Sequence, residues 1–221
     1  MAKGNGAVKT EAKNRLPADE AKVVGQELRV AVRCKGITPL LMNPQTEEAL
    51  LNMRNKVKAP KNAPKPTPAE EAQNKANVYK DADGNYYVPG EALYAALMNA
   101  GQFMRLDGKR QISTSKSTNL PGLMTLEDAT LPIGKLNKKQ PFAVDIKAGK
   151  NPNGGEAVCI VRPRFDTWEF TAHITIFTNE IGEEVIRELF DKAGRRCGLL
   201  DFRPNRKGIF GQFMVEDWKR L

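Results

Sequence analysis

The stretch Trp168-Glu-Phe-Thr-Ala-His-Ile-Thr-Ile-Phe177 decides the fold. Trp168, Phe170, Ala172, Ile174 and Ile176 fall on one side of it, and Glu169, Thr171, His173 and Thr175 on the other. Alternation of period two predicts a half-buried β-strand. Downstream, Val185, Ile186, Leu189, Phe190 and Ala193 recur at helical spacing and predict an amphipathic helix from about 182 to 194. A basic, glycine-rich segment follows, and the chain closes on a strand near 210–217. Upstream, Leu28, Val30, Val32 and Cys34 alternate with Arg29, Ala31, Arg33 and Lys35, a second half-buried strand whose polar face is cationic. Tyr86, Tyr87 and Val88 form a brief strand. Pro89-Gly90 then opens a helix with Leu93, Leu97, Ala100 and Met104 along one face. Further strands are expected around 128–133 and 142–147. Ala157–Arg164 reads as a strand joined to Trp168–Phe177 in an antiparallel hairpin.

In order, these elements are strand, insertion, helix, strands, strand, helix, strand. That pattern predicts an α+β fold of the βαββαβ ferredoxin-like kind, an antiparallel sheet with two helices on one face. In it the first and third core strands are neighbours. Arg29, Arg33 and Lys35 then stand beside Thr171, His173 and Thr175 on the open face, near the C-terminal glycine-rich segment. Residues 1–25 read as a disordered basic tail and 26–221 as one domain, with an insertion at about 38–85 and a basic loop at 105–122.

Within the insertion, Asn43-Pro44 opens a short helix. The run Arg54-Asn-Lys-Val-Lys-Ala-Pro-Lys-Asn-Ala-Pro-Lys-Pro66 holds five cations and no acid, and reads as a mobile basic loop in which Lys56, Lys58 and Lys61 form a lid. Thr67-Pro-Ala-Glu70 is a capping box at the start of another helix. Asp81-Ala-Asp-Gly-Asn85 is a tight hairpin turn.

The formal net charge of +9, from 35 Lys and Arg against 26 Asp and Glu, favours a polyanionic partner. Nucleic acid is the commonest, an anionic membrane surface the rival. No apolar run spans a bilayer, and no signal peptide opens the chain. Cys34, Cys159 and Cys197 are widely spaced and form no CxxC pair, which predicts a reduced, cytoplasmic protein without a structural metal.

The charge concentrates in Gly194-Arg-Arg-Cys-Gly-Leu-Leu-Asp-Phe-Arg-Pro-Asn-Arg-Lys-Gly-Ile-Phe-Gly211. Five cations, Arg195, Arg196, Arg203, Arg206 and Lys207, accompany one acid, Asp201, with Gly198, Gly208 and Gly211 spaced among them. Glycines admit positive φ and close approach of backbone to a ligand, and successive free N–H groups form anion-binding concavities. The segment reads as a phosphate cradle; a solvated basic loop is the plain alternative. The loop 105–122 adds Lys109, Arg110 and Lys116 among Ser and Thr donors.

Catalytic patterns are missing. The single histidine, His173, has no partner legible in the sequence; metal-ligand spacing, a P-loop and a dinucleotide fingerprint are all absent, so neither enzyme activity nor a cofactor is expected. Few aromatics fall on the proposed open face, which points to electrostatic, sequence-independent binding with steep salt dependence.

Two stretches resemble the RAMP superfamily, the RNA-binding backbone subunits of CRISPR effector complexes. Asn85-Tyr-Tyr-Val-Pro-Gly-Glu-Ala-Leu-Tyr-Ala-Ala-Leu-Met-Asn-Ala100 is similar to its strand, Pro-Gly, helix signature. Gly198–Phe213 is similar to its C-terminal glycine-rich loop. Glu91, Tyr94 and Asn99 depart from the small or basic residues usual there. Gly36-Ile-Thr-Pro-Leu-Leu-Met-Asn43 lacks the acid that cleaving subunits carry. The resemblance implies an RRM-like domain that holds a single RNA strand without cutting it, inserted loops acting as a thumb, and subunits stacked along the strand. It assigns the glycine-loop role to Gly198, Arg203, Arg206, Lys207, Gly208 and Gly211.

The combined expectation is a protein that binds single-stranded RNA (a guide RNA among the candidates) or single-stranded DNA, as a homo-oligomer or part of a ribonucleoprotein. Contacts fall to Arg29, Arg33, Lys109, Arg110, Lys116, Arg195, Arg196, Gly198, Arg203, Arg206, Lys207, Gly208 and Gly211. The alternatives are an assembly protein of a viral or mobile-element particle, and a metal-independent ribonuclease using His173.

Overall fold

The computed structural model describes residues 27–45, 47–56, 64, 67–73, 78–106, 108–134, 141–150 and 157–221. The basic tail and the lid lysines Lys58 and Lys61 lie outside them. In chain order the elements are β1 (Glu27–Gly36), β2 (Leu40–Leu41), α1 (Glu47–Arg54), α2 (Pro68–Gln73), β3 (Tyr87–Pro89), α3 (Gly90–Ala100), β4 (Met124–Leu126), β5 (Thr130–Pro132), β6 (Ala143–Lys150), β7 (Ala157–Phe165), β8 (Glu169–Phe177), α4 (Glu183–Lys192) and β9 (Phe213–Arg220).

Four strands form the main sheet in the order β4-β8-β1-β9, every neighbouring pair antiparallel. With α3 crossing between β1 and β4, and α4 between β8 and β9, this is the ferredoxin-like topology. Register sets its two faces. Val30, Val32 and Cys34 stand with Ala172, Ile174 and Ile176 on one face, closed over by Leu93 and Leu97 of α3 and Ile186, Leu189 and Phe190 of α4. On the other face Arg29 pairs with Thr175, Arg33 with Thr171 and Lys35 with Glu169, as the alternation predicted. Between Arg33 and Cys34 the β1–β9 register shifts, and Glu216 is the extra residue on the bulged strand.

Several local signals take the form their residues predict. Thr67 Oγ1 accepts from Glu70 N at 3.3 Å while Glu70 Oε2 accepts from Thr67 N at 2.8 Å, a reciprocal capping box. Asp81 N donates to Asn85 O at 3.0 Å across the predicted turn. Gly90 opens α3 with its N–H donating to Ala129 O at 2.8 Å, where a Cβ would meet Asp128 O at 2.1 Å.

The expected β7–β8 hairpin does not form. β7 pairs with β2 and β6 in a separate three-stranded sheet, β2-β7-β6, and β8 runs between β1 and β4. Trp168 sets the divergence. Its Nε1 donates to Thr38 O at 2.8 Å, its carbonyl accepts from Gly36 N at 2.9 Å, and its ring stacks on Phe170 at 6.2 Å. These contacts draw the chain out of the small sheet and along β1. The hairpin is instead β6–β7, whose connection, the predicted Asn151–Gly155 turn, lies outside the described residues.

The last strand begins at Phe213, later than expected. Gly211 N donates to Pro39 O at 2.8 Å and Leu199 N to Gly211 O at 2.9 Å, so the preceding residues are held against the β1–β2 turn. Among the described residues no helix is long and apolar enough to cross a membrane.

Candidate nucleic-acid interface

α4 ends in a widened turn, Ala193–Cys197, that leaves Arg195 and Arg196 exposed while burying Ala193, Gly194 and Cys197. The glycine-rich loop then folds back on itself. Phe210 N donates to Phe202 O at 3.2 Å, Gly208 N to Arg203 O at 3.0 Å, and Asp201 N to Leu41 O at 3.1 Å. Arg206 N and Lys207 N donate to Arg203 O and Pro204 O at 2.8 and 2.9 Å, and Gln212 N to Thr38 Oγ1 at 3.0 Å. Most loop N–H groups therefore have internal partners, so the cradle of free N–H groups expected from sequence is not built. The glycines serve closure instead. A Cβ on Gly208 would sit 1.7 Å from Phe202 O, and one on Gly211, whose φ is +72°, 2.1 Å from Leu199 O. Gly198 also has positive φ, +67°, next to Pro204. Anion binding here falls to side chains.

Among the described residues those side chains have no carboxylate partner. Asp201, the only acid of the loop, accepts from Arg162 Nη1 at 2.9 Å. Arg162 is 6% exposed and also donates to the equally buried Asp145 at 3.1 Å. Its guanidinium lies 5.8 Å from the Phe202 ring centre, and Lys147 stands over Phe202 and Phe210 at 5.7 and 4.7 Å. The β6–β7 hairpin thereby pins the loop and consumes its acid. Among the described residues no carboxylate pairs with Arg195, Arg196, Arg203, Arg206 or Lys207.

The open sheet face has the opposite character. Arg29 grips Glu127 through Nε at 3.0 Å and Nη2 at 2.5 Å. Arg33 pairs with Glu216 at 3.0 Å and Glu169 at 3.7 Å, and Lys35 with Glu216 at 3.3 Å. Arg29, followed by Thr175, hydrogen-bonds the Glu127 carboxylate and holds its pKa at about 2. The sheet cations are matched to acids, so this face attracts polyanions far less than its sequence suggested.

The loop 105–122 lies elsewhere. It leads into β4 beside the Phe177 end of β8, where Phe177 N donates to Leu123 O at 3.0 Å; the glycine-rich loop meets the Glu169 end. The two segments thus meet opposite ends of the nine-residue β8. Lys109, Arg110 and Lys116 are exposed there, and four of the loop's five hydroxyls hydrogen-bond to one another. Ser113 and Thr118 share a 2.7 Å hydrogen bond, and Thr114 Oγ1 accepts from Ser117 N at 3.0 Å. Arg196 reaches part of the way, its guanidinium 4.9 Å from the centre of the half-exposed Phe103 ring. Sequence reading passed over Phe103, Lys147 and Arg162; the arginine's place in a strand gave no sign of burial.

His173 does have a partner. Asp128 Oδ2 lies 3.0 Å from its Nδ1 and accepts from its backbone N–H at 2.6 Å. The aspartate is 45 residues away in sequence. Among the described residues no group of three or more metal-ligating side chains occurs.

No protein-family model matches the chain, and no curated protein sequence matches it. Among solved structures it is similar to a chain of the Type III-B Cmr-beta assembly bound to cognate target RNA, at a TM-score of 0.50 and 11% identity. The likeness is one of fold. It covers 88% of this chain and 61% of that one, so this chain spans under two thirds of its neighbour's length. It agrees, distantly, with the fold that the RAMP resemblance implies.

Proposed function

We propose that this protein binds single-stranded nucleic acid, RNA in preference to DNA, through backbone phosphates, and holds it without cleavage as a repeated subunit of a ribonucleoprotein. One observation carries the reading: five cations with no carboxylate partner among the described residues, Arg195, Arg196, Arg203, Arg206 and Lys207, stand on a loop whose one acid is taken by Arg162. Uncompensated arginines are strong phosphate ligands. The RAMP-like stretches and the fold shared with a chain of an RNA-bound assembly support the same reading. The phosphate track follows the glycine-rich loop and the turn after α4, not the charge-balanced sheet. Fluorescence anisotropy with nuclease-stripped protein and a short unstructured RNA tests it. Binding at low salt that falls steeply as salt rises is the expected result, and intact RNA after long incubation separates binding from the ribonuclease reading through His173 and Asp128. Failure to bind any single strand overturns it.

The reading as an assembly protein draws on the β6–β7 hairpin, where Val144, Ile146 and Val158 are exposed. Stable large assemblies after nuclease treatment, with no RNA affinity, are its signature.

A further inference from the structure

A cavity of about 260 Å³ opens between the glycine-rich loop and α3, walled by Asn43, Tyr79, Ala92, Ala95, Leu200, Arg203 and Asp201, whose carboxylate accepts from Arg162 Nη1 at 2.9 Å. We propose that it is a subsite for one nucleoside phosphate, with the base against Tyr79 and the phosphate on Arg203. This rests on the nucleic-acid reading of the same loop and adds what that reading lacks, a place where a base is held.

The lining supplies each part such a ligand needs. Ala92 and Ala95 put the smallest side chains of α3 on the helix wall and leave room beside the loop. The volume approaches the lower end of small-ligand sites, about 300 Å³. Tyr79 is partly buried and fixed by a tilted ring contact with Tyr87 at 5.8 Å, so an aromatic surface is already positioned for a base. Burial raises the Tyr79 pKa, which keeps the ring neutral as a stacking surface. Asn43 offers an amide donor and acceptor, the pair of groups that reads a base edge.

Arg203 is a preset anion ligand. Its Nη1 donates to Leu200 O at 2.5 Å, which fixes the guanidinium, and no carboxylate among the described residues neutralises it. The backbone around the cavity is bent to this shape. Leu200 and Phe202, neither of them glycine, hold φ values of 57° and 47°. Such conformations cost stability and persist where the surroundings enforce them. Asp201, between them, is clamped by Arg162, so the wall is rigid before any ligand arrives.

The source of the nucleoside phosphate is either one nucleotide of a bound strand or a free mononucleotide, and two probes separate them. Binding of rA, rC and rU homo-oligomers, and of AMP, is measured for the unaltered chain and for Tyr79→Leu, Tyr79→Phe, Asn43→Ala and Ala95→Phe. Thermal melting confirms folding of each variant, and any one that folds carries the test. The unaltered chain should prefer one homo-oligomer by about tenfold. Tyr79→Leu and Ala95→Phe should weaken that oligomer about tenfold, while Tyr79→Phe retains binding. Asn43→Ala should erase the preference more than the affinity. Binding of AMP, lost in the same variants by a chain that binds no RNA, keeps the subsite and removes the strand reading. Equal RNA affinity for all homo-oligomers and all variants overturns the subsite and leaves the strand reading intact. No binding of either probe overturns both.

Discussion

Replacing Arg206 and Lys207 by alanine separates a side-chain phosphate track on the glycine-rich loop from one on the open sheet. On the proposed reading the five loop cations each meet one phosphate, and each phosphate contact on a single strand contributes about 0.7 to the salt slope. The dependence of log Kobs on log salt should therefore be about −3.5, a loss of about 100-fold from 50 to 200 mM salt. The double variant keeps three cations and should show a slope of about −2.1, a loss of about 20-fold over the same range. A control removes the sheet pair at constant net charge, Arg29→Gln with Glu127→Gln, and should leave the slope unchanged, because the Arg29 charge is already spent on Glu127. Anisotropy titrations at four or more salt concentrations give the slopes directly. A slope untouched by the loop variant and reduced by the sheet control refutes the assignment.

Arg162→Ala should lower stability by about 3 kcal/mol in urea denaturation, because among the described residues it leaves Asp145, which is 6% exposed, with only the partly exposed Lys147 at 3.7 Å as counter-charge; Arg162→Met with Asp145→Leu should recover most of that loss. Glu127, its pKa depressed from 4.5 to about 2 by Arg29 and Thr175, contributes stability that is fully present above about pH 4.5 and lost as pH falls toward 2. Glu127→Gln should thus lower the melting temperature at pH 7 and not at pH 2, and a melting temperature unchanged at pH 7 refutes the pairing. Of the three cysteines, only exposed Cys159 should react with a thiol reagent in the native protein, since Cys34 and Cys197 are buried and burial raises both pKa values, that of Cys197 to about 11. Three rapid equivalents before denaturation contradict this packing.

Sequence periodicity carried most of the main sheet. Alternation in Leu28–Cys34 and Trp168–Phe177 named both central strands and their faces, since one buried face per strand forces period two. The Pro89-Gly90 helix start and the Thr67–Glu70 capping box were equally local, and both formed. The β7–β8 hairpin failed because two strands joined by a short polar link read alike whether they pair or change sheets. What separated them was Trp168 bonding to Thr38, 130 residues distant.

The site was less legible for the same reason. Arg29 and Glu127 are 98 residues apart and Arg162 and Asp201 39, so whether a cation is spent or free is decided by pairs that no local pattern shows. The sequence marks the loop glycines as places where backbone comes close to a ligand; at Gly208 and Gly211 what comes close is the loop's own carbonyls.

Whether the protein holds RNA is read directly from its 260/280 absorbance ratio when freshly purified at low salt, repeated after RNase and after DNase. A protein that holds RNA through phosphates gives a high ratio that RNase abolishes and that a high-salt wash also removes. A protein free of nucleic acid that still elutes as a large assembly contradicts this reading.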